Sequence, residues 1–258
     1  MPVHPTAIVD SGARIHATAD IGPFCVIGPD VEIGARTRLM ANLFMEGPTE
    51  IGEDNIFFPY STVGVAPQDL KYKGERAFTK IGSRNRIREF VSIHRGTQGG
   101  GLETVIGDDC LIMAYTHVAH DCRVGNHVIL GNSVGLAGHV IIEDWADVSP
   151  FSGVHQFCRI GKHSLVGPYS VIKQDVMPYS TTSIHSEVQV FGANAIGLAR
   201  RGFDKPAMET LQTAFRLLTR AGLNTSQAVE RIKAELPETP ELQELITFIA
   251  SSERGVIK

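Results

Sequence analysis

Large aliphatic and apolar residues recur every six positions along most of this chain, and no other feature limits its fold as strongly. One run is Val3, Val9, Ile15, Ile21, Ile27, Ile33, Leu39, Met45, Ile51, Phe57 and Val63, followed by Ile81, Ile87 and Ile93. Another is Ile106, Ile112, Val118, Val124, Leu130, Leu136, Ile142, Val148, Val154, Ile160, Val166 and Ile172. Such a period indicates a solenoid, whose repeats bury their apolar edges only against their neighbours.

The other positions of the hexad describe a short strand followed by a turn. The second position is often glycine, as in Ile27-Gly28 and Ile106-Gly107, and we interpret it as a corner that needs open φ/ψ space. The fifth position is small or β-branched. We expect three such units to close one triangular coil, with successive coils about 4.8 Å apart.

The fifth position also accounts for the cysteines, which all fall on it: Cys25, Cys110, Cys122 and Cys158. No two of them have the CxxC spacing typical of metal or redox sites. We therefore predict four small core residues rather than ligands or disulfides.

Two stretches break the repeat, and a third region replaces it. Residues 64–80 and 95–105 are insertions, and loops inserted in a solenoid project from one face. After about residue 190 the spacing becomes helical. We predict one helix from Asp204 to Arg220, capped by Asp204 and ended by Gly222, another over 226–236, and a third that opens at Thr239. The predicted domains are a β-helix over 1–190 and an α-helical domain over 191–258.

Composition narrows the class of protein. A net charge of −4 argues against a nucleic-acid partner. No apolar run approaches the roughly 18 residues of a membrane span. The first residues, MPVHPTAIVD, resemble no signal peptide. We expect a soluble cytoplasmic protein.

The six-residue register sorts the ten histidines. Hexads that begin at Ile93, Val118, Leu136 and Val154 should stack in one column, and both insertions adjoin it. Five histidines belong to this column: His94, His117, His120, His139 and His155. The remaining five are assigned structural or solvated roles: His4, His16, His127, His163 and His185.

A column of imidazoles has two functional readings, beside a purely structural one. Histidine titrates near neutral pH and can take a proton from a hydroxyl, which makes it a general base. Neutral imidazole also binds Zn²⁺, but the ring nitrogens must then converge within about 2.1 Å of one point. Because these side chains occupy different positions of their hexads and fan along the strand, we favour the base and predict no metal or other cofactor.

Several longer motifs, taken together, are specific enough to indicate a protein family. They are QDLKYKGE (68–75), NRIREFVSIHRGT (85–97), HVAHDCRVGN (117–126), LAGHV (136–140), VHQFCRIG (154–161) and NAIGLARRGF (194–203). Together they resemble the UDP-N-acetylglucosamine O-acyltransferase family over nearly the whole chain. The resemblance implies a left-handed parallel β-helix of hexapeptide repeats with a C-terminal α-helical domain. It also implies an enzyme that makes the first acyl transfer of lipid A synthesis.

The resemblance implies a role for each matching residue. His120 would be the general base for the sugar 3-hydroxyl and Asp121 its support. The Gly138 N–H would stabilise the tetrahedral oxyanion formed on an acyl thioester of acyl carrier protein. The sugar, phosphates and acyl chain would be held by the remaining residues of the column and of the first insertion: Gln68, Asp69, Lys71, His94, His117, His139, His155 and Gln156.

The resemblance also extends beyond this column. Asn194, Arg200 and Arg201 would hold the UDP portion, since arginine forks match pyrophosphate oxygens. Pro168 stands at the position that limits acyl length, followed by Tyr169. Similar enzymes are homotrimers with sites between subunits. Basic residues would dock the acidic carrier protein: Arg159, Lys162, Lys173 and Lys205.

Other functions remain open at this stage. Some relatives acylate a 3-amino sugar instead of the 3-hydroxyl. The N-acyltransferase that acts later in the same pathway carries an extra N-terminal domain, for which hexads beginning at Val3 leave no room. A zinc hydratase of the carbonic anhydrase type and a non-catalytic scaffold are further alternatives, and clustered histidines and loops argue against the scaffold.

Overall fold

A computed structural model describes residues 3–184 and 187–258, so that His185 lies outside the described residues. The chain winds into short strands, most of them two residues long: β1 Ile8–Val9, β2 Arg14–Ile15, β3 Asp20–Ile21, β4 Val26–Ile27, β5 Val31–Ile33, β6 Arg38–Leu39, β7 Phe44–Met45, β8 Thr49–Ile51, β9 Ile56–Phe57, β10 Thr62–Val65, β11 Phe78–Ile81, β12 Arg86–Ile87, β13 Ser92–His94, β14 Glu103–Ile106, β15 Leu111–Ile112, β16 His117–Val118, β17 Arg123–Val124, β18 Ile129–Leu130, β19 Gly135–Leu136, β20 Ile141–Ile142, β21 Asp147–Val148, β22 Gly153–Val154, β23 Arg159–Ile160, β24 Leu165–Val166, β25 Val171–Ile172, β26 Ser180–Ile184 and β27 Val188–Ala193.

Every third strand pairs in parallel, which gives three sheets around a triangular section. Sheet I contains β1, β4, β7, β10, β13, β16, β19, β22 and β25, and sheet II contains β2, β5, β8, β11, β14, β17, β20 and β23. Sheet III contains β3, β6, β9, β12, β15, β18, β21, β24, β26 and β27. The chain visits sheets I, II and III in turn and so forms corners I/II, II/III and III/I. The solenoid is the predicted left-handed parallel β-helix.

The residues marked by the six-residue period form the core. They are buried from Ile21 to Ile172, whereas Val3, Val9 and Ile15 are half-buried because they lie in the first coil. The four cysteines are free and buried, as predicted. Burial raises the pKa of Cys110 and of Cys122 to about 12, so these side chains stay as apolar thiols.

The glycines of the second position serve a different purpose from the one predicted. Left-handed φ angles occur at the fourth position of the hexads, at residues such as Asp121 (φ 60°) and His139 (φ 63°). A Cβ at Gly34 would instead lie 2.5 Å from the Gly52 oxygen, and one at Gly107 would lie 2.7 Å from the Gly125 oxygen. Glycine is needed there because adjacent coils approach closely, and the prediction of open φ/ψ space was wrong.

The solenoid ends in an antiparallel pair, β26 with β27, that the six-residue pattern did not predict. Four helices follow: α1 Ala195–Arg200, α2 Lys205–Arg220, α3 Thr225–Glu235 and α4 Pro240–Ala250. Asp204 caps α2 as predicted, and α3 begins one residue early because Asn224 forms a capping box with Gln227. Strand β27 spans residue 190, where we predict the boundary between the two domains. That boundary stays a prediction.

The helices extend the core of the solenoid. Leu198, Leu211 and Phe215 are buried in the same cluster as Ile160 and Ile172. Within residues 3–184 and 187–258, none of the helices combines the length and the apolar character needed to cross a lipid bilayer.

The outer surfaces of the solenoid differ in character. Sheet II is largely charged, with Arg14, Glu32, Glu50, Lys80, Arg123 and Arg159 pointing outward. Corner III/I instead carries exposed aromatic rings: Phe24, Tyr60, Phe90, Tyr115, Phe151 and Tyr169. Tyr60, Phe90 and Tyr115 stack at centroid distances of 5.1 and 4.8 Å.

Candidate active site

Both insertions and the key histidines lie at corner I/II. The first insertion connects β10 to β11 and the second connects β13 to β14, so both pass from sheet I to sheet II. His120 and His139 lie at the same corner in the two following coils. The stacking of β13, β16, β19 and β22 in sheet I brings the predicted column together.

An open cavity of about 570 Å³ lies along sheet I beside this corner. Six of the predicted residues line it: Gln68, His117, His120, Gly138, His155 and Gln156. Its floor continues over Gly135, Gly153 and Val171. A second cavity of about 410 Å³ shares Val171 and Lys173 with it and reaches Tyr169, so that the two form one extended groove.

His120 and Asp121 form a hydrogen-bonded pair. The left-handed φ of Asp121 turns its carboxylate back toward its neighbour, and His120 Nδ1 lies 2.7 Å from Asp121 Oδ2. Since a carboxylate oxygen accepts, Nδ1 carries a proton, and in the neutral imidazole the lone pair is then on Nε2. That arrangement presents a base to the cavity.

Residues of the second insertion cover the Asp121 carboxylate. The Thr97 backbone N–H donates to Oδ1 at 2.8 Å and its hydroxyl donates to Oδ2 at 2.6 Å. The Asp121 side chain has 0% exposure.

His120, Asp121 and His139 are close enough to be considered as metal ligands, with candidate atoms within 4.8 Å of one another. However, Asp121 Oδ2 already accepts from His120 and Thr97, and Oδ1 accepts from Thr97. A metal would have to displace these bonds, so the donor set fits a proton acceptor better than a resident ion. The absence of a cofactor stays a prediction.

His117 is oriented from the neighbouring coil. Its Nδ1 lies 2.7 Å from the Ser92 hydroxyl, and its ring meets that of His94 edge-on at 4.7 Å. His94 is buried beneath it, and burial, followed by the nearby His117, lowers the pKa of His94 to about 4. His94 is therefore neutral at physiological pH and supports the site from below.

His155 and Gln156 line the cavity, whereas His139 stands behind His120 and does not line it. His139 stacks on Phe157 at 4.4 Å and stands edge-on to His120 at 5.1 Å. Burial lowers the pKa of His139. His155 and Gln156 are exposed, and His155 Nδ1 lies 3.0 Å from a nitrogen of the Arg254 guanidinium.

Gly138 lies directly against the His120 ring. A Cβ at Gly138 would be 2.5 Å from His120 Cε1, so no other residue allows this packing. Among residues 3–184 and 187–258, the Gly138 N–H has no protein acceptor, whereas its carbonyl accepts from the Phe157 N–H at 3.3 Å. A free N–H beside a base is what an oxyanion requires.

The first insertion presents polar groups at the edge of the cavity. Gln68 lines the cavity, and Asp69 Oδ1 accepts from the Lys71 N–H at 2.9 Å, which shapes the loop. The Lys71 side chain is exposed, as is Leu70, which is 99% accessible.

The predicted nucleotide residues lie at another corner of the same chain. The Asn194 amide caps α1 through Gly197 and donates to the His163 carbonyl at 3.0 Å. Arg201 lies over the Trp145 ring at 5.3 Å, and Arg200 is exposed. Because His163 and Trp145 belong to corner II/III, a single chain does not bring these residues to His120.

The predicted length-limiting residues lie at the far end of the groove. Pro168 and Tyr169 are exposed at corner III/I, and Tyr169 stacks on Phe151 at 5.1 Å.

Of the basic residues predicted to dock the carrier protein, two form contacts within the chain. Arg159 binds Glu143 at 3.1 Å and lies over Phe248, and Lys162 pairs with Glu244. Lys173 lines the cavity and Lys205 is exposed.

Sequence reasoning missed the residues that support the histidines and floor the groove: Ser92, Thr97, Gly135, Gly153 and Val171. The last three share the outward hexad position of His117, so reading that position along the column would have found the floor. Ser92 holds the same outward position one coil earlier, so the same reading would have placed it beside His117, whereas no sequence signal identified the role of Thr97, which depends on a contact between coils.

The chain is similar to known proteins in sequence as well as in structure. A family described as UDP-N-acetylglucosamine O-acyltransferase, domain 2, matches residues 175–257, and a bacterial transferase hexapeptide family matches residues 103–138. The acyl-[acyl-carrier-protein]–UDP-N-acetylglucosamine O-acyltransferase of Thermodesulfovibrio yellowstonii is 44% identical over 99% of both chains.

Solved structures are similar over the whole chain. The structure of LpxA from Acinetobacter baumannii is 44% identical, with a TM-score of 0.96 and 100% of each chain covered. The UDP-N-acetylglucosamine acyltransferase of Bacteroides fragilis is 38% identical, with a TM-score of 0.96 over 99% of this chain and 100% of that one.

Proposed function

The chain belongs to the UDP-N-acetylglucosamine O-acyltransferase family, and on that basis we propose that it transfers an acyl group from acyl carrier protein to the 3-hydroxyl of UDP-N-acetylglucosamine. This reaction is the first step of lipid A biosynthesis. The observation that carries the proposal is the His120–Asp121 pair, which holds His120 Nδ1 on the carboxylate and leaves Nε2 available beside the free N–H of Gly138.

The proposed reaction needs one base and one oxyanion donor. His120 Nε2 takes the proton of the sugar 3-hydroxyl as its oxygen attacks the thioester carbonyl carbon. The Gly138 N–H stabilises the oxyanion of the tetrahedral intermediate. The carbon–sulfur bond then breaks, and His120 returns the proton to the carrier thiolate. Asp121 stabilises the imidazolium that forms between the two proton transfers.

The groove along sheet I suits the acyl chain. Gly135 and Gly153 leave its floor open, since a Cβ at either would meet nothing within 4 Å. Tyr169 bounds the far end of the groove, where Pro168 and Tyr169 would limit chain length. Gln68, Asp69 and Lys71 stand on the insertion beside His120, where they would hold the sugar and phosphates.

We further propose a homotrimer, for which the outer surfaces of the solenoid supply the argument. The stacked aromatic rings of corner III/I would face the threefold axis. Sheet I of one protomer would then pack on sheet III of the next, and the charged sheet II would face solvent. A C₃ ring of this kind is closed.

This packing would complete the active site. Corner I/II of one protomer, with His120, would lie beside corner II/III of its neighbour, with Asn194, Arg200 and Arg201. Leu70, fully exposed on the first insertion, would gain a covering surface. The nucleotide would therefore bind to one protomer and the base would come from another.

We place the activity in the cytoplasm, which the four free, buried thiols support, because disulfides are rare in reducing compartments.

The test of the proposed reaction is turnover by the purified protein. UDP-N-acetylglucosamine and the corresponding 3-amino sugar would be offered with acyl carrier proteins loaded with plain and 3-hydroxylated chains of several lengths. We expect transfer to the 3-hydroxyl. Transfer only to the 3-amino sugar would contradict the acceptor, and CO₂ hydration that depends on bound zinc would contradict the acyltransferase.

The shared site has a separate test. Mixed trimers formed from a His120→Ala chain and an Arg200→Ala/Arg201→Ala chain should regain turnover that neither parent has, because some interfaces combine both intact corners. Mixed trimers as inactive as their parents would contradict a site between protomers.

A further inference from the structure

The second insertion reaches the Asp121 carboxylate behind His120. We propose that Thr97, on this insertion, is a positioning residue that fixes the Asp121 carboxylate and thereby sets the tautomer and orientation of His120. The inference rests on the proposed function, because it assigns a supporting residue to the same base.

Thr97 binds both oxygens of the carboxylate. Its backbone N–H donates to Oδ1 at 2.8 Å and its hydroxyl donates to Oδ2 at 2.6 Å. The Asp121 N–H in turn donates to the Thr104 hydroxyl at 2.8 Å, which fixes the backbone. Two donors from one residue leave the carboxylate plane no freedom to rotate.

The orientation matters because Asp121 Oδ2 has two imidazoles within reach. His120 Nδ1 lies 2.7 Å away and His139 Nε2 lies 3.8 Å away. A small rotation of the carboxylate would exchange one partner for the other. The Thr97 hydroxyl holds Oδ2 on the side of His120, and so keeps the proton on Nδ1 and the lone pair on Nε2.

Burial strengthens this arrangement. Thr97 is 4% exposed and the Asp121 side chain 0% exposed, so water does not compete for the carboxylate. Thr97 does not line the cavity, which is bordered by Gln68, His117 and His120 in this region. Its effect on turnover must therefore pass through Asp121.

The insertion is built to approach Asp121 closely. A Cβ at Gly100 would overlap the Asp121 carboxylate, whereas the nearest atom to a Cβ at Gly99 would be the Thr97 hydroxyl at 3.8 Å. The Gln98 N–H donates to Glu75 Oε1 at 3.1 Å, which ties the second insertion to the first. Gly100 and Gly99 thus form a matched pair of positions for a test.

The test combines kinetics with ¹⁵N-histidine NMR of the full-length protein. We expect Thr97→Val to lower kcat by about 10²-fold, as for a misplaced catalytic group, with KM changed less than about threefold. Its His120 resonances should shift from the Nδ1-protonated tautomer to a mixture. Thr97→Ser keeps the hydroxyl and should keep both kcat and the tautomer.

The glycine pair gives an independent variant. Gly100→Ala should push the insertion away from Asp121 and reproduce the effects of Thr97→Val, while Gly99→Ala should not. Thr37→Val controls for lost stability. It removes another buried threonine hydroxyl, which donates to the Gly52 carbonyl far from the active site.

The outcomes separate this inference from the proposed function. Unchanged His120 resonances in Thr97→Val would overturn the positioning role. So would a loss of kcat in Thr97→Ser as large as that in Thr97→Val. The resonances need no substrate, so a wild-type protein without acyltransferase activity would overturn the proposed function while the NMR comparison still decides the role of Thr97.

Discussion

Asp121 is adjacent to His120 in sequence, yet the two side chains meet. Neighbouring residues on an extended strand point in opposite directions, so the sequence alone gave no route from carboxylate to imidazole. The left-handed φ of 60° at Asp121 provides it. Aspartate and histidine tolerate this conformation better than most residues, which suits them to the corners where the site lies.

Gly107 illustrates how tightly adjacent coils pack. We expect Gly107→Ala to lower the free energy of unfolding by about 1–3 kcal/mol, because the added Cβ would lie 2.7 Å from the Gly125 oxygen. Urea denaturation would measure the loss, with Gly99→Ala as control. Equal stability of the two variants would refute close coil contact as the reason for these glycines.

His94 makes stability depend on pH. Burial lowers the pKa of His94 to about 4, below the value of about 6.5 in an unfolded chain. Between these values the unfolded state binds the proton and the folded state does not, so the free energy of unfolding falls as the pH is lowered through this window.

Urea denaturation at pH 7 and pH 4.5 measures this dependence. The wild type should lose about 2 kcal/mol more than His94→Gln between the two pH values, because only the wild type has this group, which binds a proton on unfolding. Identical losses in both proteins would show that folding does not lower the pKa of His94.

At the scale of elements, the repeat predicts most of the strands. Period, core positions and the two insertions follow from the sequence because each hexad must present the same faces to its neighbours. The hairpin of β26 and β27 and the short helix α1 were missed, since both lie after the last regular hexad and carry no period of their own. The resemblance predicts a nucleotide contact for Asn194, and the structure adds a structural role that the sequence did not reveal, since its amide caps α1.

The groove is also a property of stacked elements. Its floor consists of the outward-facing residues of β16, β19, β22 and β25. Two of these residues, Gly135 and Gly153, have no side chain and so leave space above the floor. No single strand predicts this floor; it appears only when four coils are superimposed.

Gly153→Leu should shorten the acyl chain that the enzyme accepts. The new side chain has room to form, because a Cβ there meets nothing within 4 Å, but it would occupy the groove beyond His120. Competition between long and short acyl donors measures the preference. Gly153→Ala should differ little from wild type, and an unchanged preference in Gly153→Leu would place the acyl chain elsewhere.

At the scale of the whole molecule, the proposed trimer explains why predicted ligands lie at two corners. Residues of one family motif, such as Arg200 and Arg201, cannot reach His120 within the chain. Sequence motifs carry no information on which copy supplies them. Only the contrast between the aromatic corner III/I and the charged sheet II indicates how copies would pack.

Phe90→Asp should therefore dissociate the assembly. Phe90 is 45% exposed within the stacked rings and has a φ of 59°, which aspartate also tolerates, so the protomer should stay folded. Sedimentation equilibrium should give about three times the chain mass for wild type and less for Phe90→Asp. Ile141 is 37% exposed on sheet II, and Ile141→Asp should remain trimeric as a control. If Ile141→Asp dissociated and Phe90→Asp remained trimeric, the proposed packing would be wrong.

The most direct test of the central claim is the turnover of His120→Ala. We predict a loss of at least about 10²-fold in kcat, with an unchanged circular dichroism spectrum, because the side chain faces the cavity and is not part of the core. His16→Ala, an exposed histidine in the first coils, should keep wild-type turnover. A folded His120→Ala protein that still transfers acyl groups at the wild-type rate would contradict the assignment of His120 as the base.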